Sequence, residues 1–161
     1  MLRTTKILLV ICVALWCLVG AMHNVLDWGG TTGAVSAAAS MSTFDGGAES
    51  WKATSNPIVI WAGALMIMLS KLAAGVLCTM GAMNMWRERG NDPAGFSTAK
   101  TLALTGCGIA MIMLFGGFIV IGESWFEMWR SDVLRDLSLQ SAFRYGGMIT
   151  LIALFVGSRD D

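Results

Sequence analysis

The chain is 161 residues long, 55% hydrophobic and only 14% charged, where a soluble domain carries roughly 25% charged residues. Its 11 basic and 11 acidic residues cancel, so it lacks the basic surplus of nucleic-acid binders, and a mean hydropathy of +0.65 excludes a disordered polar chain. The apolar residues are gathered into blocks, which points to an integral membrane protein.

A helix crosses a hydrocarbon core of about 30 Å with about 20 mostly apolar residues. The first such segment is 7–26. Arg3 and Lys6 precede it like the basic start of a signal peptide, but no small-x-small cleavage site follows the run to Met22. Trp16 ahead of Cys17 argues against a lipoprotein signal, so the span is expected to be retained. A long outer loop, 27–56, comes next. Its uncharged Thr31–Thr43 stretch is rich in Gly, Ala, Ser and Thr, and reads either as flexible or as a short helix against the outer ends of the bundle. Asn56 and Pro57 form an N-cap and first helical position for the second span, 57–86, which holds a single charge, Lys71. Gly90-Asn91-Asp92-Pro93 is a turn cluster in a loop short enough to make spans two and three antiparallel neighbours.

The third span, 101–122, carries no charge. After it comes Gly122-Glu123-Ser124-Trp125-Phe126-Glu127-Met128-Trp129-Arg130-Ser131. Helical spacing would put Trp125, Phe126 and Trp129 on one face and Glu123 and Glu127 one turn apart, so a short interfacial helix is expected, its aromatics toward lipid or a partner. A plain aromatic anchor is the simpler alternative. The fourth span, 137–158, includes Arg144. The fold class is all-α: a four-helix antiparallel membrane bundle forming a single domain over 1–161.

Orientation follows from the loop lysines and arginines. Arg3, Lys6, Arg87, Arg89, Lys100 and Arg159 stand on the side of the termini, against Lys52, Arg130 and Arg135 on the other, which predicts both termini in the cytoplasm. Trp28, Trp51, Trp61, Trp125 and Trp129 fall near the expected outer boundary and Trp86 near the inner one.

Lys71 is the sharpest single feature. Counted from Pro57, it lies about 21 Å along its helix. An ammonium near mid-bilayer costs at least about 2.5–3.5 kcal/mol on insertion scales, so it should face a partner or a wet cavity. One reading is an ion, proton or substrate pathway; the other is a lysine that snorkels or bonds to carbonyls and hydroxyls within a bundle. No carboxylate of the chain is expected at its depth, which argues for a partner subunit, lipid headgroup or water. Arg144 is expected to pair with Glu123 or Glu127 and lock span four to span three. His23 is the sole histidine, so neither a bis-histidine haem nor a three-histidine zinc site assembles within one chain. It reads as an interfacial polar residue, or less readily as a quinone contact. Cys12, Cys17, Cys78 and Cys107 lie within spans with no CxxC spacing and read as small packing residues. Neither a cofactor nor a metal site is expected. Ala74, Gly75, Cys78, Gly81, Gly106 and Ala110 supply small positions where helices can approach closely.

Gly81-Ala82-Met83-Asn84-Met85-Trp86-Arg87, Phe96 to Lys100, Gly122 to Trp129, and Ala142-Phe143-Arg144-Tyr145 together resemble the bacterial predicted small integral membrane proteins of unknown function. The resemblance covers essentially the whole chain. It implies a four-span inner-membrane protein and supplies no catalytic residues. The expected role is a non-enzymatic accessory or stabilising subunit of a larger respiratory, photosynthetic or transport assembly, partnered by lipid and other membrane subunits. A small homo-oligomeric transporter or channel using Lys71 is the alternative. A quinone- or haem-associated redox subunit using His23 is a third.

Overall fold

The structure, a computed structural model, describes residues 1–160. Among these, four helices are long and apolar enough to cross a membrane: Leu2–Leu26, Pro57–Glu88, Pro93–Trp125 and Asp132–Gly157. The α-helical elements are α1 (Leu2–Leu26), α2 (Trp28–Ala39) in the loop between the first two spans, α3 (Pro57–Glu88), α4 (Pro93–Ala99), α5 (Thr101–Ile112), α6 (Asp132–Leu134) and α7 (Gln140–Gly157), with no strand among the described residues. α1 packs on α3, α3 on α5, α5 on α7, and α7 closes back on α1.

The caps are local chemistry. Asn56 accepts the amide of Ile58 at 2.9 Å and starts α3 with Pro57 in its first turn. Asp92 accepts the amides of Ala94 and Gly95 to start α4. Asp27 does the same for Gly30 and turns the uncharged loop segment into α2. A Cβ on Gly30 would stand 2.2 Å from an Asp27 carboxylate oxygen, so this cap needs glycine. At about 48 Å, α3 is far longer than the hydrocarbon is thick, and it must tilt or project.

The core is made of small residues. A Cβ on Gly81 would come within 2.3 Å of the Ala103 backbone, and one on Gly106 within 2.8 Å of the Ala74 carbonyl oxygen. α3 and α5 therefore touch almost backbone to backbone, and the Cys78 thiol donates to the Ala103 carbonyl at 3.6 Å. Gly75 seats Leu18 of α1 in the same way. Cys17, Ala74, Cys78, Cys107 and Ala110 are all buried around these crossings. The large aliphatic side chains, Leu15, Leu69, Leu151 and Leu154 among them, point outward, as a bilayer solvent permits.

Two stretches depart from the expected helical pattern. α5 continues as a π-helix from Met113 to Trp125, and a second π segment, Arg135–Leu139, leads into α7. Gly116, Gly117 and Gly122 lie in the first, where the wider turn has Phe126 donating to Ile121 and the Ser124 hydroxyl to Ile119. The expected interfacial helix over 123–131 does not form as one element. The π-helix runs out at Trp125, Glu127 takes a left-handed conformation at φ 53°, and only a single 3₁₀ turn, Met128–Arg130, follows.

Candidate functional site

Lys71 projects from α3 across α1. Its ammonium donates to the Asn24 side-chain oxygen at 3.0 Å and stands 6.0 Å from the Trp16 ring centroid. The absence of a Cβ on Gly20 makes room for it: one there would lie 3.2 Å from the lysine Cδ and 3.4 Å from Nζ. Asn24 is fixed in turn by donating to the Thr31 hydroxyl at 3.0 Å, and Thr31 bonds the Asp27 carbonyl at 3.0 Å. With its NH2 committed to Thr31, the amide presents its oxygen to the lysine.

The ammonium sits nearer the loop end than a count along α3 alone suggests. Gly20 is about 9 Å from the end of α1. α3 outlasts α1 at this end, and side chains lean toward their own helix N-terminus, which here is the loop end. Two cavities meet at this lysine. One, of about 540 Å³, is lined by Gly20, His23, Asn24, Asp27 and Thr31 and leads toward the loop side. The other, of about 470 Å³, lies under α2 and is walled by Val35, Val59, Met66, Phe118, Phe126 and Met128.

A second polar cluster ties the loops together. Glu127 accepts from both Lys52 and Arg130, the latter at 3.0 Å, and Arg130 also donates to the Asp45 carbonyl at 3.1 Å. These two cations hold the Glu127 carboxyl below the usual carboxylate range. The expected Arg144 pairing is therefore replaced. Glu127 faces the long loop through its left-handed turn, and exposed Arg144 bonds only the Ser141 hydroxyl, at 3.2 Å. Glu123 has no ion-pair partner among the described residues. It borders a groove of about 1020 Å³ between the π-helix and α7, with Arg135, Arg144 and Trp129 on the same rim.

The aromatic trio separates because the chain turns between its members. Trp125 packs edge-on against Trp51 with centroids 5.6 Å apart, Phe126 walls the Lys71 cavity, and Trp129 lies exposed on the groove. Trp28 and Trp61 form a comparable pair at 5.4 Å. His23 is exposed on the opening beside Asn24.

A third cluster escaped the reading of the sequence. At the end where the termini meet, Asp160 accepts from Lys6 at 2.8 Å and from Lys100. Both lysines also donate to the Ser158 carbonyl at 2.8 Å. Lys6 is fully buried and Lys100 nearly so, beside the rings of Phe155 and Phe96 respectively. Burial raises the Asp160 carboxyl, but the hydrogen bonds and charges of Lys100 and Lys6 outweigh it and leave the group below its usual range. The only available signal was two lysines of similar depth and an acidic chain end; their convergence is tertiary.

No curated protein and no solved structure matches the chain. A family described as "Predicted small integral membrane protein (DUF2165)" matches residues 2–159, in keeping with the four apolar helices and the bilayer environment they require. The chain belongs to this family of small integral membrane proteins, whose function is unknown.

Proposed function

We propose that the protein is a non-enzymatic accessory subunit that stabilises a larger assembly in a bacterial inner membrane, of respiratory, photosynthetic or transport type, with both termini in the cytoplasm. The observation that carries this reading is the groove between the π-helix and α7. The small-residue contacts inside the bundle are consumed by the chain's own helices, yet this groove leaves small residues open. A Cβ on Gly147 would meet nothing within 4 Å, and one on Gly146 only Leu114, at 3.7 Å. Between exposed Phe115 and Phe143, that hollow suits a transmembrane helix of another subunit, which gains contact there by close packing. Arg144 and Glu123 on the rim offer such a partner a charge of either sign.

Gentle solubilisation followed by native mass measurement tests this. The expected result is a stable heteromer that Gly147→Trp dissociates while the isolated chain keeps its thermal stability. A single chain, or a Gly147→Trp variant that still co-purifies with its partner, overturns it. The position of Lys71 between two cavities favours a second reading, a homo-oligomeric transporter or channel with Lys71 in the pathway. A ring of identical chains, with vesicle flux lost in Lys71→Met, decides for that reading.

A further inference from the structure

We infer that the Lys71 cavity is a binding site for a single-chain anionic amphiphile, its acidic head on the lysine and its tail in the chamber under α2. The lysine has a neutral partner, Asn24, and among the described residues no carboxylate pairs with it. Asp27, which shares the opening, is engaged with the Gly30 amide. An ammonium has three donors, and the Asn24 oxygen takes one of them. The amide is locked by Thr31 with its acceptor toward the lysine, and it brings no charge of its own. A half-buried lysine with two donors beyond the one given to Asn24 offers a place for an anion.

The two cavities divide the ligand by chemistry. The loop-side opening carries His23, Asn24, Asp27 and Thr31 and admits a hydrated head. The chamber behind is walled mostly by aliphatic, Met and Phe side chains, with Asn24, Thr31 and Ser138 its polar members beside Lys71, and it suits a tail. Its volume of about 470 Å³ lies inside the roughly 300–1,000 Å³ of small-molecule sites. Lys71 stands where the two meet. The same head chemistry arises from the carboxylate of a free fatty acid or the phosphate of a lysophospholipid. This inference shares Lys71 with the pathway reading but requires no flux, and it is independent of the docking groove.

Native mass measurement of the detergent-purified full chain with palmitate, hexadecanol, lysophosphatidylglycerol and a short-tailed quinone tests it. Palmitate should bind roughly ten-fold or more tighter than hexadecanol, as expected for a charge-assisted contact. Lys71→Met should abolish that preference and Lys71→Arg keep it. Ala34→Phe, at an exposed position lining both cavities, should weaken acid and alcohol alike with the lysine intact. Stronger competition by lysophosphatidylglycerol assigns the head to a lipid phosphate, and stronger binding of palmitate to a free acid. Equal binding of palmitate and hexadecanol, or quinone binding that palmitate cannot displace, overturns the inference. If Lys71→Met does not fold, the Lys71→Arg and Ala34→Phe results still decide it.

Discussion

Asp160 is the residue on which the closure of the bundle end depends. It draws Lys6 of α1 and Lys100, which leads into α5, onto the end of α7, so three helices meet at one carboxylate. Asp160→Asn leaves two buried ammonium groups without their counter-charge, and removing one partner of a buried pair costs roughly 3–5 kcal/mol. Thermal unfolding in detergent at neutral pH should show that loss, while Asp136→Asn, at an exposed residue, changes little. The pH dependence has a definite sign. Because the folded Asp160 carboxyl lies below its unfolded value of about 3.9, its stabilisation is fully present above that pH. It is lost as the pH falls through the lower, folded value. Glu127 is also depressed and shares this acid limb, so Asp160→Asn should shrink the limb without abolishing it. Melting curves from about pH 2 to pH 7 measure the difference.

At this scale the sequence was informative about Lys71 and misleading about Arg144. A lone cation in an apolar run is visible from composition, and its need for company follows from solvation. The partner was not visible. Asn24 was in reach only because α3 extends past α1 and Gly20 leaves room, neither of which is a property of Lys71's neighbours in sequence. The matching depths of Arg144 and of Glu123 and Glu127 suggest a pair between Arg144 and one of the two carboxylates. Depth says nothing of competition, and Lys52 on the long loop reaches Glu127 instead.

Among elements, the crossing of α3 and α5 should be the least tolerant of added volume. Gly81→Ala places its new methyl against the Ala103 backbone, and Gly106→Ala against the Cys78 thiol and amide and the Ala74 carbonyl, so at both sites it meets backbone that cannot turn aside. Each should cost about 1–3 kcal/mol by forcing the helices apart. Gly108→Ala is the matched control: two residues from Gly106, it meets nothing within 4 Å and should gain about 0.5 kcal/mol from reduced chain entropy. Unfolding of the three variants in the same detergent gives the order, and an equal loss in all three would refute the backbone-contact account. The small-residue spacing was readable as a capacity for close packing, but not as to whether the facing helix was internal or foreign. The four spans were readable too, since block length and hydropathy determine them. The π segments were not, because a widened turn changes the hydrogen-bond register without a distinctive apolar period, and the left-handed Glu127 falls in a segment whose helical spacing looked continuous.

For the whole molecule, the fold puts chain ends and the α3–α4 turn at one end and the long loop with the 126–131 turn at the other. Arg3 of α1 donates to the Arg89 and Asn91 carbonyls, and Arg130 to the Asp45 carbonyl. Each end is thus braced by a side chain that reaches the carbonyls of a separate loop, and the two ends must lie on opposite faces of the membrane. Which faces the cytoplasm rests on the lysine and arginine bias, a rule of insertion that counts basic residues and not net charge. Neutralisation of Lys6 and Lys100 by Asp160 in the folded state therefore does not weaken it.

A labelling experiment makes that orientation testable with little background. Cys17, Cys78 and Cys107 are buried and Cys12 sits on a span, out of reach of a membrane-impermeant maleimide. Thr43→Cys on the long loop and Gly90→Cys in the α3–α4 turn both add exposed thiols, and a Cβ on Gly90 meets nothing within 4 Å. Expressed in the inner membrane of bacteria whose periplasm is open to the reagent, Thr43→Cys should label at once in intact cells and Gly90→Cys only after the membrane is broken. The reverse pattern would turn the protein over. It would also put the Lys71 opening on the cytoplasmic face, so that its anionic ligand would be drawn from the cytoplasmic pool.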